Sequence, residues 1–312
     1  MSAGLVVATY PDVSKTLGII RAADEAGVGT VWQTVGATRP DAVTTYAAAA
    51  VQTSRIRLGT SIVPTYPRHP AALASQVLSV TSLAPGRLRL GIGPSHRPTI
   101  EGSLGIPMGK PLAHLREYIT VLRALLWEGQ VDVDGEYYQV HLAFQDGTPP
   151  PKPEILTSTL SVNAYRLAGE LADGALSWVS PVPYLIDTAL PALVEGAEAA
   201  GRPVPPLIAH VPVAVTADRS AALQATTRDF GSYGRLPFYA NMFAAAGVPV
   251  DAGQTSAAAI ESLTVSGTPD DIANQLTAIL ATGIGEIYVS QVNVADENAE
   301  RTELLNILAS LR

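Results

Sequence analysis

The sequence predicts an α/β protein whose strands form a (β/α)8 (TIM) barrel, a closed ring of eight parallel strands surrounded by helices. Apolar, β-branched runs alternate with Ala- and Leu-rich helical patterns along the 312 residues. Eight strand–helix units occur, and their lengths match the barrel repeat. A doubly wound sheet is the alternative, but it usually has fewer strands. We expect a single barrel domain over residues 1–312.

The elements follow one another in regular order, and several helices carry start and stop signals. Thr268 at an N-cap precedes Pro269 and two acidic residues, and Gly27 and Gly283 follow helix ends. The predicted strands cover residues 3–9, 30–33, 56–63, 88–92, 154–158, 175–179, 207–216 and 286–292. The predicted helices cover residues 12–26, 39–53, 70–83, 111–128, 163–171, 183–200, 219–230, 269–281 and 298–311.

Two regions depart from the repeat. After strand four, a loop over 94–110 and a helix lead into a predicted hairpin over 130–141 that turns at Asp134-Gly135. Between strands seven and eight, residues 231–266 are too long for an ordinary barrel connection. This insertion predicts a lid or substrate wall, with a dimer contact as the equal alternative, and its Arg235 is a candidate contact for an anionic group of the coenzyme or substrate. Its aromatic candidates for a substrate wall are Tyr233, Phe238, Tyr239 and Phe243.

Composition excludes several classes of function. A formal net charge of −8 argues against a nucleic-acid or anionic membrane partner. The absence of cysteine excludes disulfides, thiolate metal sites and cysteine nucleophiles. The N-terminus lacks the features of a signal peptide, and no apolar run approaches the length needed to span a bilayer. We therefore expect a cytoplasmic protein.

Motifs for common catalytic chemistry are absent. The sequence has no P-loop, nucleophile elbow, HExxH motif or metal-ligand cluster, and no acidic residue ends a predicted strand, which disfavours hydrolysis by paired carboxylates. Of the five histidines, only His96 directly follows a strand. Small, hydroxyl, amide and aromatic residues instead end the strands: Thr9, Tyr10, Gln33, Thr34, Ser61, Gly93, Ser95, Thr157, Ser158, Trp178 and Ser180. Such residues suit a flat heterocycle that brings its own chemistry.

Several motifs resemble the bacterial luciferase-like superfamily, and within it the oxidoreductases that use the deazaflavin coenzyme F420. They are Leu-Gly-Thr-Ser-Ile at 58–62, Arg-His-Pro at 68–70, Gly-Arg-Leu with Gly-Ile-Gly over 86–93, and Ala-Gly-Glu-Leu-Ala-Asp-Gly at 168–174. The resemblance covers roughly residues 1–290 and implies the same barrel. It also implies hydride transfer at the deazaflavin C5 and, commonly, a homodimer.

The resemblance assigns positions for the coenzyme ring and for acid–base chemistry. It implies a non-proline cis peptide at Ser61–Ile62, pressed against the ring. His96 stands where sugar-phosphate relatives carry a carboxylate, and Gln33 stands where many relatives have an acid. Because an amide cannot accept a proton, we expect reduction of an activated C=C, C=N or C=O bond, with His96 supplying the proton, rather than sugar-phosphate oxidation. His96 and Gln33 are the catalytic candidates.

The same resemblance places the coenzyme phosphate at the loop over 157–163 and the helix start beyond it. Relatives have Gly-Pro where Ser161-Val162 stand, which leaves FMN as the alternative cofactor. The expected cofactor-binding residues are Tyr10, Gln33, Thr60, Ser61, Ile62, Gly93, Pro94, Ser95, His96, Thr157, Ser158, Thr159, Ser161 and Trp178. We expect no metal and a small, apolar or aromatic substrate. An FMN-dependent monooxygenase and a non-catalytic flavin-binding barrel are the alternative functions.

Overall fold

A computed structural model describes residues 2–145 and 151–311. Eight parallel strands pair in the ring order β1-β2-β3-β5-β8-β9-β10-β12, and β12 pairs back to β1. The ring confirms the predicted (β/α)8 barrel. The twelve strands of the described chain, including short additions and a hairpin, are β1 (Ser2–Val6), β2 (Thr30–Gln33), β3 (Arg57–Thr60), β4 (Val63–Pro64), β5 (Leu88–Gly93), β6 (Gln130–Asp134), β7 (Gln139–Ala143), β8 (Glu154–Thr159), β9 (Gly174–Ser177), β10 (Leu207–Ala214), β11 (Val265–Ser266) and β12 (Glu286–Gln291).

Helices follow the strands and cover the outside of the ring. The α-helices of the described chain are α1 (Val13–Ala26), α2 (Ala42–Ala50), α3 (Pro70–Leu83), α4 (Pro111–Arg123), α5 (Val162–Leu171), α6 (Val182–Tyr184), α7 (Leu190–Ala199), α8 (Arg219–Phe230), α9 (Pro237–Ala245), α10 (Ala257–Leu263), α11 (Pro269–Leu280) and α12 (Glu297–Ser310). Pro98–Ser103, Ala124–Glu128 and Leu185–Ala189 form π-helical turns, and Gly231–Arg235 is a 3₁₀ turn. No helix in the described ranges is long and apolar enough to cross a membrane.

Some predicted boundaries differ from the structure. The strand predicted over 56–63 is two strands, β3 and β4, separated by Ser61–Ile62, whose peptide bond is cis. The helix predicted from residue 39 begins at Ala42, because the Asp41 side chain accepts the Thr44 N–H at 2.8 Å and caps the helix there. The predicted hairpin forms from β6 and β7 in antiparallel register.

Side chains alternate between the inside of the ring and the helical layer. Trp32, Leu156, Leu176, Ile208 and Tyr288 form the buried cluster inside the ring. Glycines make room for it: a Cβ at Gly59 would lie 2.4 Å from the Trp32 ring, and one at Gly91 would lie 2.0 Å from the Thr60 carbonyl oxygen. The inside of the ring is therefore a packed core, and a ligand must bind at one of its ends.

Charged residues close the amino-terminal end of the ring. Arg89, 2% exposed, donates to Glu154 at 2.6 Å and to both carboxylate oxygens of Glu286 at 2.7 and 2.9 Å. Its guanidinium also lies 5.0 Å from the centre of the Trp32 ring. These contacts compensate the charge of a buried arginine and join three strands. This end of the ring is consequently a structural layer.

Candidate active site

The carboxyl ends of the strands open into a cavity of about 1380 Å³. This exceeds the 300–1000 Å³ typical of a pocket for one small ligand, so it has room for a coenzyme and a substrate together. The cavity lies at the end of the barrel where enzymes of this fold place their active sites. Nine of the predicted site residues line it: Ser61, Ile62, Pro94, Ser95, His96, Ser158, Thr159, Ser161 and Trp178.

Strand alternation explains why three predicted residues do not line the cavity. Trp32 points into the ring, so Gln33 lies on the opposite face of β2, where it is completely buried. Thr60 and Thr157 likewise follow inward positions, and both are completely buried. The next inward positions along their strands, Thr34, Ser61 and Ser158, line the cavity instead. At these three positions alternation thus separates a residue that can contact a ligand from the buried residue before it, although Ile62 and Thr159, which follow Ser61 and Ser158, also line the cavity.

The remaining two predicted residues lie outside the lining for different reasons. The Tyr10 hydroxyl donates to the Glu297 carboxylate, and Lys15 lies 3.8 Å from the centre of its ring. Burial and the bond to Glu297 raise the pKa of Tyr10 to about 12, so its phenol stays protonated. Gly93 has no side chain, and a Cβ there would lie 2.1 Å from Ser158 Oγ. Gly93 thus allows Ser158 to pack directly against the β5 backbone.

His96 lies on the cavity wall at the end of β5. Its ring centre is 5.7 Å from that of Tyr239, and its backbone carbonyl accepts the N–H groups of Thr99 and Ile100. Burial lowers the pKa of His96, so the neutral imidazole predominates at neutral pH. Ser95, just before it, has a φ of +63°, a strained value for a residue with a side chain. The strand therefore ends in a sharp turn that carries the imidazole.

Trp178 forms another part of the wall and contacts residues on two sides. Its indole Nε1–H donates to the Tyr233 hydroxyl at 2.8 Å, and its ring stacks on His210 with 3.8 Å between ring centres. Val179 has a φ of +50°, which is unusual for a β-branched residue, and its N–H donates to His210 Nδ1 at 3.3 Å. Burial lowers the pKa of His210 to about 3, so its ring is neutral and carries one proton. Because Nδ1 accepts the Val179 N–H, that proton is on Nε2, which donates to Ser290 Oγ at 2.7 Å.

The insertion over 231–266 completes the aromatic side of the cavity. Tyr233, Phe238 and Tyr239 line it, whereas Phe243 is completely buried among the core residues. The ring centres of Tyr233 and Tyr239 are 4.8 Å apart. Arg235 is exposed and lies outside the lining. This part of the insertion therefore forms a wall of the cavity.

The loop after β8 ends at the N-terminus of α5. Ser161 is the N-cap, and its Oγ accepts the Ala164 N–H at 3.3 Å. The N–H groups of Val162 and Asn163 have no acceptor within the helix, as helix geometry requires. Ser158, Thr159 and Ser161 line the cavity beside this helix end. The arrangement provides hydroxyl and backbone donors for an anionic group.

Charged residues that the sequence analysis did not assign to the site also line the cavity. They are Arg39, Asp41, Arg68 and Lys110, on the loops after β2 and β4 and before α4. Loops carry weak sequence signals, because their residues converge only when the ring closes. Within the described part of the chain, no group of three or more potential metal-binding side chains occurs. The chemistry of the cavity is therefore that of hydroxyls, aromatic rings, one imidazole and several cations.

Comparison with known proteins gives matches over most of the chain. A family model described as luciferase-like monooxygenase matches residues 2–286. The F420-dependent glucose-6-phosphate dehydrogenase of Beutenbergia cavernae is 35% identical over 209 residues, 64% of this chain and 61% of that protein. The 5,10-methylenetetrahydromethanopterin reductase of Methanolobus tindarius is 30% identical over 205 residues, 65% of this chain and 61% of that protein. The chain thus spans about three fifths of the length of these curated relatives.

A solved structure supports the fold over the whole chain. An F420-dependent secondary alcohol dehydrogenase, determined in complex with an F420–acetone adduct, superposes with a TM-score of 0.81. The match covers 100% of this chain and 99% of that one, at 17% sequence identity. At 17% identity this similarity shows a shared fold and nothing about activity.

Proposed function

The chain belongs to the luciferase-like monooxygenase family, and on that premise we propose that it is an oxidoreductase that uses coenzyme F420. The observation that carries the proposal is the large cavity that contains both donors for an anion and a separate aromatic wall. Two of its curated relatives are named for reactions of this class, one as an F420-dependent dehydrogenase and one as a reductase.

The residues of the cavity fit this coenzyme. The buried Ser61 Oγ has no hydrogen-bond partner within the described chain, and Ser61 lines the cavity next to Ile62. A buried hydroxyl without a partner is costly, and a ligand heteroatom would satisfy it. Ile62 and Pro94 offer apolar surface to a flat ring, while Ser158, Ser161 and the start of α5 would hold the phosphate.

When bound, F420 supplies two-electron hydride chemistry, and the protein must position the substrate and manage one proton. His96 is the proton-carrying group, because it is the titratable imidazole in the cavity lining. In the reduction of a double bond, the protonated form of His96, which is the minor form at neutral pH, would donate a proton to the substrate atom that becomes negatively charged. In the reverse direction, neutral His96 accepts that proton.

Gln33 has a supporting role in this proposal. Its backbone carbonyl accepts the Ser61 N–H at 2.8 Å, and its completely buried side-chain amide has no hydrogen-bond partner within the described chain. The backbone of Gln33 therefore fixes the position of Ser61, the first residue of the Ser61–Ile62 segment. Its contribution to catalysis passes through the position of Ser61.

The cavity favours reduction of an apolar or aromatic substrate. Asp41 is the single carboxylate among the described lining residues, and it is bound to Arg68 and to the start of α2. Trp178, Tyr233 and Tyr239 offer aromatic surface in the cavity, and the Tyr239 ring centre lies 5.7 Å from that of His96. We therefore propose an activated C=C, C=N or C=O bond as the reacting group, with sugar-phosphate oxidation less well suited to this wall.

Titration of the purified protein with F420 and, separately, with FMN tests the proposal. Coenzyme fluorescence should report micromolar binding of F420 and much weaker binding of FMN. Oxidation of bound, reduced F420 on addition of an enone or imine substrate would support the full assignment. Preferential binding of FMN would contradict it and indicate a monooxygenase, and binding of neither would leave a barrel without this chemistry.

A further inference from the structure

The charge of the cavity differs from that of the protein as a whole. The chain carries a formal net charge of −8. Among the described residues that line the cavity, however, three are cationic, Arg39, Arg68 and Lys110, and one is a carboxylate, Asp41. A cavity with this excess of positive charge attracts anions even in an acidic protein.

Asp41 neutralises one of these cations. Its Oδ2 accepts Arg68 Nη2–H at 2.6 Å, and its Oδ1 accepts the N–H and hydroxyl of Thr44 at 2.8 and 2.9 Å. A second Arg68 nitrogen, Nη1, donates to Gln76 Oε1 at 3.1 Å. The Arg68 guanidinium is thus fixed in place, with its charge balanced by a carboxylate that already caps a helix.

Unlike Arg68, Arg39 has no carboxylate partner in the described ranges that would balance its charge. Its backbone N–H donates to the Gly36 carbonyl at 3.3 Å, and Nη1–H donates to the Thr9 carbonyl at 3.2 Å. These contacts hold the guanidinium at the cavity edge without neutralising it, and no carboxylate in the described ranges forms a salt bridge with it. An exposed guanidinium that keeps free donors can bind a carboxylate through two parallel hydrogen bonds.

The position of Arg39 separates it from the proposed phosphate site. Arg39 follows β2 and Arg68 follows β4, whereas the start of α5 follows β8. In the ring, β3 and β5 lie between β2 and β8. Lys110 precedes α4, which packs against both α3 and α5, so this cation lies between the two sides. A phosphate at the start of α5 would therefore leave Arg39 available for a second anionic group.

We propose that Arg39, which lines the same cavity as the Arg68–Asp41 pair, forms a carboxylate subsite on the β2 side of the cavity mouth. The proposal rests on the proposed function, because it concerns a ligand of the same cavity. Two sources could supply the carboxylate: the glutamate tail of F420, or the substrate itself. Both would bring the same chemical group to Arg39, and two experiments distinguish them.

The first experiment measures binding of F420 with its glutamate tail and of F420 from which the glutamates have been removed. If the tail supplies the carboxylate, Arg39→Gln weakens binding of tailed F420 about tenfold and changes binding of trimmed F420 less than twofold. Arg39→Lys should recover part of the loss. Arg21→Gln, at an exposed position of α1, is the matched control and should bind both forms as the unaltered protein does.

The second experiment uses the protein saturated with trimmed F420 and compares binding of benzoate with that of uncharged benzyl alcohol. If the substrate supplies the carboxylate, the unaltered protein prefers benzoate, and Arg39→Gln abolishes the preference. Should Arg39→Gln match the unaltered protein in both experiments, the subsite is refuted. Failure of the unaltered protein to bind F420 would refute the proposed function alone, and the benzoate comparison without coenzyme would then decide the subsite.

Discussion

The insertion should act as a fixed wall because the Tyr233 hydroxyl holds Trp178. Tyr233→Phe removes the acceptor of the Trp178 Nε1–H, which lies 2.8 Å away, and leaves the ring packing in place. Loss of one partner of a buried hydrogen bond costs about 1–3 kcal/mol. Both side chains are partly buried, so water can replace part of the lost hydrogen bond. We therefore expect Tyr233→Phe to lower the free energy of unfolding by about 1 kcal/mol.

A double-mutant cycle measures this interaction. Urea unfolding should be recorded for Tyr233→Phe, Trp178→Phe and the double variant. Because Trp178→Phe removes the donor, the hydroxyl of Tyr233 should matter less in its presence, and the coupling free energy should be about 1 kcal/mol. Trp127 provides a matched control, because its indole N–H donates to the Pro153 carbonyl at 3.1 Å. Trp127→Phe should combine additively with Tyr233→Phe.

Function gives a second measurement for the same pair. If the Trp178 ring forms part of the wall against which a ligand packs, Tyr233→Phe should raise the KM of a reducible substrate more than it lowers kcat. Additive effects of Tyr233→Phe and Trp178→Phe on unfolding, together with an unchanged KM, would refute the reasoning. The insertion would then be held by its buried residues, such as Phe243.

Three further predictions concern proton transfer, pH and the closed end of the barrel. His96→Ala should lower turnover by about 10²–10⁴-fold while the F420 dissociation constant changes less than threefold, and unchanged turnover in steady-state assays would exclude the proton-transfer role. Burial lowers the pKa of His114 to about 4, below the value of about 6.5 for a histidine in the unfolded chain. Between these two pH values the unfolded chain binds more protons than the folded one, so the free energy of unfolding decreases as the pH falls from about 6.5 towards 4. His114→Gln should make that pH dependence of urea unfolding shallower, and an unchanged slope would contradict the assignment. Arg89→Leu should lower the free energy of unfolding by about 1–3 kcal/mol, because Glu154 and Glu286 lose their hydrogen bonds to Arg89 but are partly exposed and keep Arg57 within 4 Å. The absence of a measurable loss in urea unfolding would contradict this account.

Much of the fold could be predicted from local signals. The strand over Thr30–Gln33 and the helices over Pro70–Leu83 and Arg219–Phe230 have the predicted bounds. Their ends are set by nearby residues, such as Pro70 at a helix start and Asp218, whose side chain accepts the Ala221 N–H at 3.0 Å. Signals of this kind act over a few residues and survive in any tertiary context.

The site could be predicted only to the level of strand ends. Gln33 and Thr34, or Thr157 and Ser158, are adjacent residues of similar character, yet one of each pair lines the cavity and the other does not. Strands of a parallel barrel are buried on both faces, so their hydrophobic pattern does not show which residues point inward. Trp32, surrounded by Gly4 and Gly59, reveals the inward face only once the ring is closed.

The sequence by itself determined the eight strand–helix units, the family resemblance and the segments that meet at the cavity. These follow from periodicity, capping residues and motifs, which are read from neighbours along the chain. Tertiary structure alone decided which strand-end side chains point inward, how Tyr233 reaches Trp178, and where Arg39 stands relative to the start of α5. The physical reason is that barrel closure brings together residues far apart in the chain, and no local signal records their distances or relative orientation.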